Sequence, residues 1–184
     1  MQLDLDAISP EAVFNLPLAQ KRECLDLMVR KRQNGAYYHL LDFADLAWPG
    51  FKQAAHIRMI AEKLEALERG DITRLMVFMP PRHGTSRLIS ETFPAWYLGR
   101  NPQHYVIATS YAQELAEDFG RTIRDKMRDD QFTQIFPQAQ LSTDSASVKR
   151  LGMEAGGTYF AVGVGGPITG RGADLLISDD PLKG

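Results

Sequence analysis

Apolar positions fall at helical spacing over the first seventy residues and in short continuous runs after that. Residues 1–15 read as a loosely tied lead-in. Within it Ser9-Pro10-Glu11 marks a helix start, with a capping hydroxyl and proline at the first helical position. The pattern from Ala19 to Gln33 predicts a helix that Asn34-Gly35 stops, because both residues accept a left-handed backbone. Tyr37 to Trp48 is rich in aromatic residues and ends at the turn signal Pro49-Gly50. Ile57, Ile60, Ala61, Leu64 and Leu67 line one face of a helix over His56–Arg69, closed by Gly70.

From Arg74 the pattern changes to strands alternating with helices. Leu75–Met79 reads as a strand and Ser86–Leu98 as a helix, with Pro94 expected to kink it or end it early. A second strand is predicted at Tyr105–Thr109, followed by a helix over Ala112–Asp129 that buries Leu115, Phe119, Ile123 and Met127. Ser147–Met153 and Thr158–Val164 bracket Gly156-Gly157 as a hairpin. A glycine-rich loop, Gly163 to Gly172, precedes the last apolar strand, Leu175–Ser178, which runs into Asp179-Asp180. The expected fold class is α/β: a helical lead-in over residues 1–70, then a core over 71–184. That core is expected to hold a mainly parallel sheet with helices on both faces.

Candidate chemistry concentrates between Arg74 and Arg87, RLMVFMPPRHGTSR. A strand, a tight polar turn and a helix form the setting in which backbone N–H groups and a helix dipole converge on an anion. Against the phosphate-loop pattern G-x-x-x-x-G-K-[ST], Gly84 and Ser86 fall on the second glycine and the hydroxyl. Met79 stands at the first glycine and Thr85 at the lysine. The competing reading is an ordinary strand-to-helix turn. Nucleotide hydrolysis also needs a carboxylate for Mg²⁺, a second to orient water, and a cation for developing charge. Asp179 ends an apolar strand and suits the first role; Asp180 suits the second, or the pair caps a following helix. Arg171 lies between glycines and is either an inserted cation or a surface arginine. Ser110-Tyr111 reads as a helix cap or as a ligand contact at a strand end.

Composition narrows the classes. The chain has 184 residues, 44% apolar and 24% charged, with a net charge of −2, so no global basic signal for nucleic acid exists. The basic run Lys21, Arg22, Arg30, Lys31 and Arg32 is a solvated helix face or a phosphate contact. The single Cys24 permits no internal disulfide and fits a reducing compartment. No apolar run reaches a membrane span, and the acidic start lacks a signal-peptide core, so a cytoplasmic protein is expected.

Three segments together, RLMVFMPPRHGTSRLISETFPAWYLGRNP, VIATSYAQELAEDFGRTIR and GGTYFAVGVGGPITGRGADLLISDDPLK, resemble the ATPase motor domain of tailed-phage terminase large subunits. The likeness covers about residues 72–184 in family order. It implies a P-loop NTPase-like fold, ATP and Mg²⁺ as cofactors, and an ATP-driven motor threading viral DNA into a capsid. It further implies the portal protein, the terminase small subunit and a homo-oligomeric ring as partners, no membrane, and the bacterial host cytoplasm. By the family's motifs, Pro81, Arg82, His83, Gly84, Thr85, Ser86 and Arg87 would bind nucleotide. Ser86 and Asp179 would hold the metal; Asp180, Arg171 and Arg82 would be catalytic. An adenine contact from the lead-in is implied without a residue. The family usually reads PPRHGKS, so Thr85 replaces a lysine, and Arg82 is the better substitute cation than Arg87. The family continues past Asp180 with a coupling motif and a nuclease, so this chain is expected to be an incomplete ATPase core without DNA cleavage. The alternative is a remnant that folds and binds nucleotide or partners without hydrolysis.

Overall fold

The computed structural model describes residues 16–166, 168, 170 and 172–182. The helix start expected at Ser9-Pro10-Glu11 lies outside the described residues. Three helices open the chain: α1 (Leu18–Tyr38), α2 (Leu40–Ala47) and α3 (Ala55–Glu68). α1 runs through Asn34-Gly35 instead of stopping there. A Cβ on Gly35 would lie 2.7 Å from Asp42 Oδ2, so the glycine serves a close approach of α2. The turn comes at His39, whose extended backbone (φ −123°) separates the two helices while its N–H still bonds Gly35. α3 follows the expected stripe, burying Ile57, Ile60, Ala61 and Leu64, and Gly70 ends it at φ 79°.

The helix after the polar loop changes pitch. Arg87–Thr92 is π-helical and passes directly into α4 (Phe93–Arg100). Thr92 Oγ1 donates to the Arg87 carbonyl, five residues back, at 2.7 Å, and accepts Trp48 Nε1–H at 2.9 Å. The wider turn delivers Pro94 to the first turn of α4, where its missing N–H is not needed. The expected break is therefore a change of helical register.

The sheet corrects the predicted fold class. Its strands are β1 (Tyr105–Ser110), β2 (Leu141–Ser147), β3 (Arg150–Met153), β4 (Thr158–Gly163) and β5 (Leu175–Asp179), in the order β2-β3-β4-β1-β5. β1 pairs parallel with β4 and β5, whereas β3 pairs antiparallel with β2 and β4. This is a mixed sheet, not the mainly parallel, P-loop NTPase-like one expected. Two residue-level causes account for the difference. Among the described residues Leu75–Met79 pairs with no strand: Leu75, Val77 and Met79 are half-buried, and Met76 and Phe78 project into solvent at 82% and 87% exposure. β2, whose LSTDSAS carries no apolar signal, extends the β3–β4 hairpin, and connections this short join only antiparallel strands.

Between β1 and β2 lie α5 (Gln113–Met127) and α6 (Asp130–Ile135). α5 buries Ala116, Phe119, Gly120, Ile123 and Met127, while Leu115 faces outward. A Cβ on Gly120 would collide with the Val148 carbonyl, so the helix meets the sheet along its small residues. Register parity puts Ala108, Ala161 and Ile177 on the face that the helices cover. On the opposite face Ile107 and Val162 are buried, while Tyr105 and Leu176 stay exposed. Among the described strands β5 is an edge strand, with Leu176 exposed on the open face.

One apolar core runs from Ala36 to Ile177 and packs the three opening helices against α4 and the sheet. Trp96 at its centre donates to the Ala36 carbonyl at 3.1 Å. Arg100 locks the rim: it bonds Glu68 at 2.9 Å and the Tyr37 carbonyl at 3.1 Å, and its guanidinium lies 5.0 Å from the Trp96 ring. Arg100→Ala leaves the nearly buried Glu68 carboxylate without its counter-charge, with Asn101 Nδ2 at 3.0 Å as the donor that stays. Chemical denaturation should show a loss of about 3 kcal/mol; a change under about 1 kcal/mol would mean the pair is solvated.

Candidate functional site

A cleft of about 1510 Å³ opens between the polar loop and the end of β5. Its walls include the described candidates from the two main segments, Pro81, Arg82, His83, Gly84, Thr85, Ser86, Arg87, Asp179 and Asp180, but not Ser110-Tyr111 or the basic run Lys21, Arg22, Arg30, Lys31 and Arg32. Trp48 to Lys52, apart from the loop in sequence, form part of another wall with α3. Arg171 lies outside the described residues.

The loop is held by its own backbone carbonyls. His83 Nδ1 lies 2.9 Å from the Pro81 carbonyl and 3.1 Å from that of Pro80, and His56 Nε2 lies 3.1 Å from the His83 carbonyl. A carbonyl only accepts, so those ring nitrogens carry the protons. The two imidazoles meet edge to face at 5.9 Å. Gly84 turns the chain at φ 80°, a left-handed geometry, into the helix that begins at Thr85. The Leu88 N–H bonds Gly84 at 3.1 Å, and the N–H groups before it are the orphan donors of a helix start.

Among the described residues, the only non-glycine residues with positive φ are Arg82 (64°) and Asp180 (42°). Both were singled out from the sequence as catalytic, and both are exposed on the cleft. Backbone of this kind is strained by about 1–2 kcal/mol per residue and persists where the surroundings impose it.

Asp179 is fixed by a neighbour the sequence reading missed. Ser90 Oγ donates to Asp179 Oδ2 at 2.7 Å, tying the π-helical turn to the end of β5. Ser90 sits one helical turn beyond Ser86, so the i, i+4 spacing in SRLIS was the available signal. Glu91 beside it is pushed above its ordinary carboxyl value, mainly by burial and further by the Asp179 charge, with Arg87 opposing. Arg87 does not extend into the cleft as a free cation. Its guanidinium lies 4.8 Å from the Trp48 ring and 3.9 Å from Glu91. Lys126 also stacks on Trp48, at 4.3 Å.

The described residues contain no group of three or more His, Cys, Asp or Glu side chains that could hold a metal ion. Mg²⁺ accompanied by phosphate asks for less: one or two carboxylates, with phosphate and water completing the shell. Asp179, held by Ser90, and the exposed Ser86 are the residues that would supply such donors. A fully buried hydroxyl without a partner, Ser110 Oγ, stands level with Asp179 on the next strand. Ser86 and Asp179 both line the cleft, whereas Ser110 does not.

No protein-family model, curated protein or solved structure matches the chain. Among the described residues, no helix is long and apolar enough to cross a membrane.

Two measurements probe these contacts. Glu91 holds its proton to higher pH when folded than when unfolded, so stability falls as pH rises from 4.5 toward the raised value. Glu91→Gln should flatten denaturation midpoints over that interval; an unchanged slope would assign it elsewhere. Arg82→Gly relieves the left-handed strain but loosens the unfolded chain, for a net gain of up to about 0.5 kcal/mol. A loss above about 1 kcal/mol would show that the Arg82 side chain holds the loop.

Proposed function

We propose that this chain binds the triphosphate of ATP with Mg²⁺ between the Pro80–Arg87 loop and the Asp179-Asp180 strand end. In this proposal it is the ATP-hydrolysing motor domain of a terminase large subunit, driving viral DNA into a capsid. The observation that carries the reading is the convergence of two segments, chosen separately from the sequence, on one cleft. The mixed sheet is no part of the support; the cleft geometry is.

Roles follow from position. The helix start at Thr85 and Ser86 offers backbone N–H donors to phosphate oxygens. Ser86 and Asp179 would hold Mg²⁺, and bound Mg²⁺ supplies Lewis-acid neutralisation of phosphate charge. Asp180, exposed and directed by its unusual backbone, orients the attacking water. Arg82 supplies the positive charge that Thr85 cannot. Arg171 is assigned to the phosphates by the family likeness alone. The portal protein, the small subunit, a homo-oligomeric ring and the bacterial cytoplasm are proposed on the same ground. The lead-in contributes Trp48 to Lys52 and part of α3 to the cleft, and the adenine contact implied by the likeness is proposed there without a residue.

A second reading, nucleotide binding without hydrolysis, is favoured by two features. Thr85 stands where the family's lysine would neutralise phosphate charge, and Arg87 is engaged by Trp48 and Glu91. ATP turnover of the full chain and of Thr85→Lys separates the two. A motor with Arg82 as its cation turns over in both, and lysine raises the rate by about 100-fold. Turnover with lysine alone establishes the second reading for the native chain. Ser86→Ala and Asp179→Asn should each weaken Mg²⁺-dependent ATP binding about tenfold, some 1.4 kcal/mol. Unchanged affinity in both would contradict the site.

A further inference from the structure

His56 reaches the polar loop from a different element. It is the second residue of α3, whose face of Ile57, Ile60, Ala61 and Leu64 is buried, so the helix that carries it is anchored in the core. Its Nε2 lies 3.1 Å from the His83 carbonyl, and both histidines line the cleft. A carbonyl only accepts, so this nitrogen donates.

The acceptor belongs to the peptide that joins His83 to Gly84. In a trans peptide the carbonyl and the N–H point opposite ways, so the bond directs the Gly84 N–H away from His56. Among the described residues that N–H has no hydrogen-bond partner. It precedes the helix that begins at Thr85, on a residue that lines the cleft.

This peptide can take two orientations. Gly84 sits at φ 80°, yet a Cβ there would meet only Ile57 Cδ1, at 3.8 Å, an ordinary contact. The glycine therefore answers to backbone conformation and not to space, and glycine accepts either sign of φ. A flip of the peptide would set the His83 carbonyl oxygen where the N–H now stands. The His83 ring does not prevent the flip, because its Nδ1 bonds the Pro80 and Pro81 carbonyls, which come earlier in the chain. Among the described residues, the side chain that bonds this peptide is that of His56.

We infer that His56 is a positioning residue for phosphate recognition. It holds the His83–Gly84 peptide so that the loop offers an N–H, and not a carbonyl oxygen, to the anion received by the helix start at Thr85 and Ser86. The inference rests on the proposed nucleotide site and deepens it. A residue of the helical lead-in, read from the sequence only as part of a helix, sets the polarity of the loop.

The test uses the full chain, Mg²⁺ and a ribose-labelled fluorescent ATP, with inorganic tripolyphosphate to displace the label. His56→Leu and His56→Ala remove the donor, with and without the bulk of the ring. Each should weaken labelled ATP and tripolyphosphate alike, by about fivefold, the worth of one hydrogen bond. His56→Gln, whose amide N–H lies as many bonds from Cα as the imidazole Nε2–H, should bring both affinities back to within about twofold of native. An equal loss in His56→Gln would mean that the ring matters and not its donor, and would overturn the inference. A loss for labelled ATP without one for tripolyphosphate would do the same, by placing His56 at the base or ribose. If Ser86→Ala weakens binding and the His56 variants do not, the positioning role fails and the nucleotide site stands. If the native chain binds no labelled ATP, or tripolyphosphate displaces none, the site fails and the positioning role with it.

Discussion

The hydrogen bond from Ser90 to Asp179, 2.7 Å long, ties two distant pieces of chain together beside the cleft. Each end is set by a different constraint. Asp179 owes its height to the parallel register of β5 on β1, which pairs it with Ser110. Ser90 owes its direction to the π-helical turn, which Thr92 holds open by bonding the Arg87 carbonyl and accepting from Trp48. Trp48 belongs to the helical lead-in, so the opening helices help to aim the residue that orients Asp179. A single normal α turn in place of Arg87–Thr92 would rotate Ser90 away by a fraction of a turn and break the link.

The same rim stores strain. Arg82 and Asp180 hold backbone conformations that side chains rarely adopt, one on each wall of the cleft. His83 and His56 supply the restraint for the first, through carbonyl bonds that fold the loop back on itself. For the second, β5 ends at Asp179 and the chain turns at once into Pro181. Strain that recurs on both sides of one cleft suits a place where side chains must be presented and not packed.

Much of the site was legible because its signals are local. Glycine before a helix, a hydroxyl two residues on, and two acids after an apolar strand are short-range patterns, and all of them meet in the cleft. The sheet was less legible because direction and order are non-local. The polar β2 has no alternation to read, and its attachment to β3 makes half of the sheet antiparallel. Leu75–Met79 has strand composition and period-two burial yet pairs with none of the described strands, since a ladder depends on a neighbour that sequence pattern does not specify. Gly35 was read as a helix stop for its conformational freedom, when what mattered was the absent side chain that admits Asp42. Gly120, which carried no reading, admits the Val148 carbonyl in the same way.

A shared phosphate and cation site has a direct thermodynamic signature in the coupling of Ser86 to Asp179. The affinity of Mg²⁺·ATP for the native chain, Ser86→Ala, Asp179→Asn and the double variant forms a double-mutant cycle. If both side chains serve one ion, the second substitution has little left to remove, and the coupling energy is about 1 kcal/mol or more. Strictly additive losses, or none, would mean that the loop and the acidic strand end act apart.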